Sequence, residues 1–401
     1  MDIKCAYPNA PIDEEIYVRQ PTGFEAKAKK GLVCKLNKAL YGLKQSARQW
    51  QQFLTTKLET IGFKPIPADQ SIYIKDDIVI GAHIDDIFIT AKTKAIIKDI
   101  KANLAQTGLE ISDLGPIKLF LGIDISRNRA ERSITLSQKG YIKKIIDKFA
   151  PNAKPAANPC QMGYRLEPNP EKATPEDIHL YQQQIGSLMY VMTQTRADLA
   201  FPIGQLARFM SNPSATHQKA LNRIWQYMAY SIDFATTYKS DSSSVFSGYC
   251  DSDWGGDFGT RKSTTGYIFL FRNSPISWSS RLQRTVALSS CEAEYMALRE
   301  AIKEQIYLKS LFSQIPILKD QYSNRLYTDS QSAIELAKNP IHHNRSKHID
   351  VQYHFVREAY LGGLSSLTHI STDKQLADPL TKAVDNSKWS RFIQDIGIKP
   401  L

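Results

Sequence analysis

No run in the sequence approaches the ~18 consecutive apolar residues that a membrane-crossing helix needs. The first residues, Met1-Asp2-Ile3-Lys4-Cys5, lack the basic and then apolar regions of a secretion signal. Cysteine is scarce: Cys5, Cys34, Cys160, Cys250 and Cys291 are an odd set of five with no paired spacing. That argues against a disulfide framework and a zinc site, and for a reducing compartment, so the expected location is cytoplasmic or nuclear. Internal repeats, low-complexity tracts and protease or integrase signatures are also missing. Secreted and membrane-spanning roles are excluded at this level.

What remains is ordinary folded composition, 42% hydrophobic and 23% charged, in a length of 401 residues that suits two or more domains. The formal net charge is +11, and it is uneven: +7 over 1–150, +2 over 151–240 and +2 over 241–401. A basic N-terminal part suits a polyanion partner, although a basic surface also serves plain solubility. Six prolines between 151 and 180 mark a linker. Helix is expected from about Tyr181 to Tyr230, broken around Ser211-Asn212-Pro213. Short apolar runs at Val245–Cys250, Gly266–Phe271, Ile276–Ser279 and Thr285–Ser290 read as strands, followed by a helix over Cys291–Phe312 and a strand at Arg325–Thr328. Three parts follow: 1–150, a linker and helical connection over 151–240, and an α/β part over 241–401.

Two constellations of acids stand out. In the first, Ile78–Ala82 and Ile87–Thr90 flank His83-Ile84-Asp85-Asp86, which reads as a hairpin with carboxylates at its tip. Asp is a common turn residue, so the pair has a structural reading; adjacent carboxylates relieved by a divalent cation are the functional one.

Here the chain resembles the reverse transcriptase and ribonuclease H region of copia-type LTR retrotransposon Pol polyproteins, through motifs in the family's order. Met1-Asp2-Ile3-Lys4-Cys5-Ala6-Tyr7 is similar to the first catalytic motif. Val33-Cys34-Lys35-Leu36 and the block from Leu40-Tyr41-Gly42-Leu43-Lys44 to Arg48-Gln49-Trp50 resemble the segment over template and nucleotide. His83-Ile84-Asp85-Asp86 resembles the aromatic-X-Asp-Asp hairpin, and Leu119–Ile125 the strand pair that grips the primer.

The resemblance implies two Mg²⁺ ions, with Mn²⁺ as an alternative, held by Asp2, Asp85 and Asp86 and acting on primer-template and deoxynucleoside triphosphates. It gives Tyr7 the place of a gate against the ribose 2′ hydroxyl, or of a core aromatic. Lys44 and Arg48 face phosphate in the family, or are a solvated helix face here. Three departures imply a truncated polymerase part that is inactive in this chain. The sequence starts one residue before Asp2, without the family's upstream fingers segment; His83 replaces Tyr, and Ala47 replaces Pro.

The second constellation lies in the last third. Gly248-Tyr249-Cys250-Asp251 puts an acid after a strand-like run, and Ala287–Tyr295 reads as a strand running into a helix. At about 100° per residue, Glu294 shares the face of Ala297, Leu298, Ala301, Leu308, Leu311 and Phe312, whereas Glu292 points away. An acid on a buried face in a first turn is what a metal site explains; Glu304 falls near the same face, so it is the position at the strand-to-helix junction that favours Glu294, with a helix-dipole partner as the alternative. Leu326-Tyr327-Thr328-Asp329 is again strand-then-acid, with an N-cap as the plain reading, and Asp378 reads as an acid at a helix start just before Pro379. The spacings between these four acids are 43, 35 and 49 residues, and they can converge at one sheet edge.

These four acids match the family's ribonuclease H motifs. The resemblance implies two Mg²⁺ held by Asp251, Glu294, Asp329 and Asp378, with an RNA–DNA hybrid as substrate. It also places Arg345, Lys347 and His348 on hybrid phosphate, against a solvated loop. Asp253 and Asp257 rank lower, as surface or supporting acids, and His369 is an ordinary strand-end histidine by default. The expected fold is an α+β palm and thumb-like reverse transcriptase part, followed by an α/β ribonuclease H-like domain with a mixed five-stranded sheet. The rival reading is a non-catalytic transposon relic that at most binds nucleic acid.

Overall fold

In a computed structural model of the chain, all residues are described except 27–30, 164–165, 241–244, 339–346 and the side chains of 347–353. The described residues form two compact units, Met1–Ile117 with Ser310–Asp320, and Lys118–Lys309 with Gln321–Leu401. None of the described helices is long and apolar enough to cross a membrane.

The first unit contains β1 (Asp2–Ile3), α1 (Ala6–Asn9), β2 (Tyr17–Arg19), β3 (Val33–Lys35), α2 (Ser46–Thr60), β4 (Lys64–Ile66), β5 (Asp69–Lys75), β6 (Ile78–His83), β7 (Asp86–Thr90), α3 (Lys94–Gln106) and β8 (Ile111–Ser112). Six strands make one antiparallel sheet in the order β4-β5-β6-β7-β1-β8; β2 and β3 form a separate ribbon. Side chains alternate across a strand, so Tyr73, Ile80 and Ile87 reach one face. There they pack with Trp50, Leu54 and Leu58 of α2 and with Ile100 and Leu104 of α3, each helix set spaced three or four residues apart. Ile72, Ile74 and Val79 point the other way, onto Leu311, Ile315 and Leu318. This is the antiparallel sheet expected of a palm, with α2 and α3 on one face; the other face is covered as well, by residues 311–318, which include the end of a long helix.

The second unit continues with β9 (Leu119–Phe120), β10 (Ile123–Asn128), β11 (Ser133–Ser137), α4 (Lys139–Phe149), α5 (Pro175–Gln194), α6 (Ala200–Ala207), α7 (Ala215–Tyr230) and β12 (Phe234–Lys239). After them come β13 (Phe246–Ser252), β14 (Thr264–Phe271), β15 (Ser274–Leu282), α8 (Ser290–Gln314), β16 (Arg325–Thr328), α9 (Gln331–Lys338), α10 (Lys347–Leu361), β17 (Ser366–His369), α11 (Asn386–Asp395) and β18 (Ile398–Pro400). β9 and β10 are joined by Leu121-Gly122, both with positive φ (49° and 74°), as a tight hairpin between twisted strands requires.

Two five-stranded sheets result. One is antiparallel, in the order β18-β12-β11-β10-β9. The other is mixed, in the order β15-β14-β13-β16-β17: the β13-β14-β15 meander is antiparallel, while β16 runs parallel to β13 and β17 parallel to β16. That is the mixed sheet of a ribonuclease H-like fold. A shared core of α4, α5, α6, α7 and α11 side chains, including Ile142, Leu188, Ile203, Trp225 and Phe392, also takes in Ile268 and Leu270 of β14.

The compact units do not follow the composition breaks at 150 and 240. Residues 118–150 belong with the second unit because β11 pairs with β12 and α4 packs into its core. The helical stretch begins at Pro175, six residues before Tyr181, because Thr174 caps it and proline is favoured in the first turn. The strand expected at Thr285–Ser290 is a loop instead. β15 runs on to Leu282, and the Ser289 hydroxyl, accepting from Glu292 N at 3.2 Å, starts the helix.

Candidate metal centre

Asp251 is the penultimate residue of β13 and is buried. β13 and β16 run side by side in parallel with Tyr249 level with Tyr327, so two residues further on Asp251 and Asp329 leave the same end of the sheet. Glu294 rises beside them from the first turns of α8. Its Oε1 accepts from Ser252 N at 3.3 Å, while Oε2 is buried with no hydrogen-bond partner. Carboxylate oxygens of Asp251, Glu294 and Asp329 all lie within 4.8 Å of one another.

The alternative roles weighed for these acids go to their neighbours. Ser330, not Asp329, caps α9, its Oγ accepting from Ala333 N at 3.2 Å. Asp329 Oδ2 instead accepts from Thr372 Oγ1 at 2.7 Å. Glu292 is buried too, which the helical wheel did not indicate, but its Oε2 accepts from Leu288 N at 2.8 Å and serves the helix terminus. Glu304 accepts from Ser277 Oγ at 2.7 Å.

Asp378 departs from the expected four-acid convergence. It is buried next to Asp251 but lies outside the three-oxygen group, paired with Lys382 at 2.6 Å and Lys388 at 2.9 Å. The two lysines offset its buried charge. A lysine four residues after an acid was a legible signal of that pairing. Between the acids, Thr381 Oγ1 lies 2.8 Å from both Asp251 Oδ2 and the Asp378 carbonyl oxygen. Sequence reasoning missed Thr372 and Thr381; nothing in their spacing marks them.

The electrostatics follow from burial. Glu294 is pushed up to about 9 by desolvation, with the charges of Asp251 and Asp329 adding to it. Asp251 is pushed up to about 7 by desolvation and by Asp378, against the Thr381 hydrogen bond. Burial also raises Asp253 to about 6; its Oδ1 accepts from Thr264 N. Asp257 is not a surface acid: it is buried and paired with Arg208 at 2.6 Å. His369 is the exposed last residue of β17, level with Thr328.

The donor set fits a hard divalent cation. Three carboxylates crowd together at a cost in repulsion and desolvation, and one buried oxygen is unpartnered. Cations between them would relieve both.

The first constellation is arranged differently. Asp2 of β1 stands directly opposite Asp86, the first residue of β7, and Asp85 lies in the turn beside it, where Ile84 has a φ of 53°. The turn is held by Trp50 Nε1 donating to the Ile84 carbonyl at 2.8 Å and by Ile3 N donating to the Asp85 carbonyl at 2.8 Å. Among the described residues, Asp2, Asp85 and Asp86 do not form a group with mutually close oxygens. Tyr7 is half-buried and packs on Tyr41, ring centroids 4.6 Å apart; Lys44 and Arg48 are exposed before and in the first turn of α2. Arg345 and the side chains of Lys347 and His348 lie outside the described residues.

Residues 1–162 match the family model of reverse transcriptase (RNA-dependent DNA polymerase). The chain is 38% identical over 409 residues to the Retrovirus-related Pol polyprotein from transposon TNT 1-94 of Nicotiana tabacum, covering 99% of this chain and 30% of that protein. It is 30% identical over 314 residues to the putative transposon Ty5-1 protein YCL074W of Saccharomyces cerevisiae, covering 76% of this chain and all of that one (100%). A solved structure, LC11-RNase H1 isolated from compost, aligns with 37% of this chain and 97% of its own at 14% identity and a TM-score of 0.27. The chain thus spans less than a third of the plant polyprotein's length. With similarity running through both acid-bearing sheets, the chain belongs to the copia-type retrotransposon Pol family, over its reverse transcriptase and ribonuclease H-like region.

Proposed function

We propose that the second unit hydrolyses the RNA strand of RNA–DNA hybrids at the Asp251, Glu294 and Asp329 cluster. The observation that carries this reading is the convergence of three carboxylates at one sheet edge, with a buried glutamate oxygen left unpartnered. Asp251, Glu294 and Asp329 hold the metal, Mg²⁺ or Mn²⁺, and Asp378 lies beside them. When bound, a divalent cation polarises a phosphodiester and lowers the pKa of coordinated water. The residues themselves supply charge and position: β13 and β16 fix two acids at one level, and α8 brings the third.

For the first unit, the family reading is template-directed DNA synthesis within the parent polyprotein, on primer-template with deoxynucleoside triphosphates. Asp2, Asp85 and Asp86 carry it, with Tyr7, Lys44 and Arg48 toward the substrate. In this chain we infer no polymerase turnover, because His83 stands where the family has Tyr and Ala47 where it has Pro. Those same substitutions favour the second reading, a relic that binds nucleic acid without turnover.

The test is Mg²⁺-dependent cleavage of the RNA strand in a hybrid, comparing wild type with Asp329→Asn. Cleavage that needs the metal and falls at least ~100-fold in the variant supports the hydrolase. Salt-sensitive hybrid binding without cleavage, unchanged by Asp329→Asn, supports the relic.

A further inference from the structure

The end of β13 that carries Asp251 is held by a segment more than a hundred residues further along the chain. Gln375 Nε2 donates to the Cys250 carbonyl at 3.0 Å, and Gln375 Oε1 accepts from Ala377 N at 3.1 Å. The chain then turns through Asp378–Leu380 and brings the Thr381 hydroxyl to Asp251 Oδ2. Gln375 and Thr381 are both buried. Room for this strap comes from Gly266, which stands opposite Asp251 on β14. A Cβ there would meet Thr381 Cγ2 at 2.8 Å, Leu380 Cβ at 2.9 Å and the Ala377 carbonyl oxygen at 3.0 Å. Strand register and a missing side chain thus make room for a segment that Gln375 ties to the β13 backbone and from which one hydroxyl reaches the Asp251 carboxylate.

We propose that Thr381 is a positioning residue for Asp251, whose hydroxyl holds that carboxylate in the orientation that closes the three-acid cluster. The proposal rests on the reading of that cluster as a divalent-cation site. An aspartate carboxylate turns easily about its last torsion, and Asp251 is crowded by the Asp329 and Glu294 carboxyl groups, a crowding that turning away would relieve. A neutral hydroxyl at Oδ2, its one proton shared between that oxygen and the Asp378 carbonyl, opposes that rotation without adding a charge that would compete with the cation. Groups that orient metal ligands in this way change metal affinity by roughly 10–100-fold when removed. Thr381 touches neither metal nor substrate in this account; it acts through Asp251.

The test is calorimetric titration of the full chain with Mn²⁺, alongside the Mg²⁺ dependence of hybrid cleavage. The variants are Thr381→Val, which keeps shape and removes the hydroxyl, and Thr381→Ser, which keeps the hydroxyl. We expect Mn²⁺ binding roughly ten-fold or more weaker in Thr381→Val and restored to within about three-fold in Thr381→Ser. The Mg²⁺ concentration for half-maximal cleavage should move in parallel. Thr381→Ala, which cannot overpack, is the second variant if the valine form does not fold. Wild-type affinity in a folded valine or alanine variant overturns the proposal, as does a serine variant as weak as valine. So does failure of both Val and Ala to fold, since the hydroxyl then serves folding alone. A wild type that neither binds Mn²⁺ nor cleaves hybrid overturns the underlying hydrolase reading, and the inference with it, and is recognisable because the defect precedes any substitution.

Discussion

Glu294 is nearly sequestered from solvent, carries a buried oxygen without a partner, and faces two more carboxylates. Without metal such a residue opposes folding, and its own proton is the cheapest relief. Its folded value near 9 and that of Asp251 near 7 stand above the ordinary 4.5 and 3.8. Between about pH 4 and 9 the folded chain therefore holds protons that the unfolded chain has released. Stability from these two groups is highest at the acid end of that window and is lost as pH rises through it. Two outcomes follow. Glu294→Gln should stabilise the metal-free protein at pH 8 by about 1–2 kcal/mol while abolishing cleavage, the usual exchange of function for stability. The gap between wild type and the Asp251→Asn/Glu294→Gln variant, read by thermal unfolding in chelator, should widen from pH 5 to pH 8 and shrink when Mg²⁺ is added. A gap that stays flat across that range refutes the electrostatic account of the cluster.

At the scale of elements, the fit of the 375–381 segment against β14 depends on a bare backbone at Gly266. Gly266→Ala should cost about 1–3 kcal/mol by overpacking and should weaken Mn²⁺ binding as the strap lifts from Asp251. Unfolding curves and the same calorimetry check it, and an alanine variant with wild-type behaviour would show the strap to be loose. Local pattern had announced much of this architecture. β16 spans Arg325–Thr328, the bounds its apolar run suggests, and Asp329 follows at once. Glu294 was readable from helix periodicity together with its place at the strand-to-helix junction, whereas the burial of Glu292 was not, because its carboxylate folds back on the Leu288 amide. Other features were hidden for physical reasons. Pro175 reads as linker until Thr174 is seen to cap behind it. Residues 285–290 have strand composition, but the meander closes one strand earlier. Asp378's capture by Lys388 and the Thr381 contact to Asp251 are long-range or loop geometry, to which no sequence period points.

The molecule as a whole divides where strand pairing dictates. β9 to β11 look from sequence like the tail of the first part, yet they belong to the second unit because β12 pairs with β11 on one side and β18 on the other. Ile398 is buried in that unit's core, and Leu401 N donates to the Asp233 carbonyl at 2.9 Å. Deleting residues 398–401 should therefore destabilise the second unit by at least ~2 kcal/mol. Segment-resolved hydrogen exchange should show faster opening over 119–137 and 234–239, with 64–90 of the first unit unchanged. Equal protection in both forms would mean that the last strand is ornamental. The same ladder has a consequence during synthesis. Until residue 400 has left the ribosome, β12 presents an open edge that no local hairpin can cover, and a nascent sheet with such an edge invites pairing with a neighbouring chain. This unit's antiparallel sheet can be finished only after its last strand has been made, so its yield should depend on what shields that edge in the meantime.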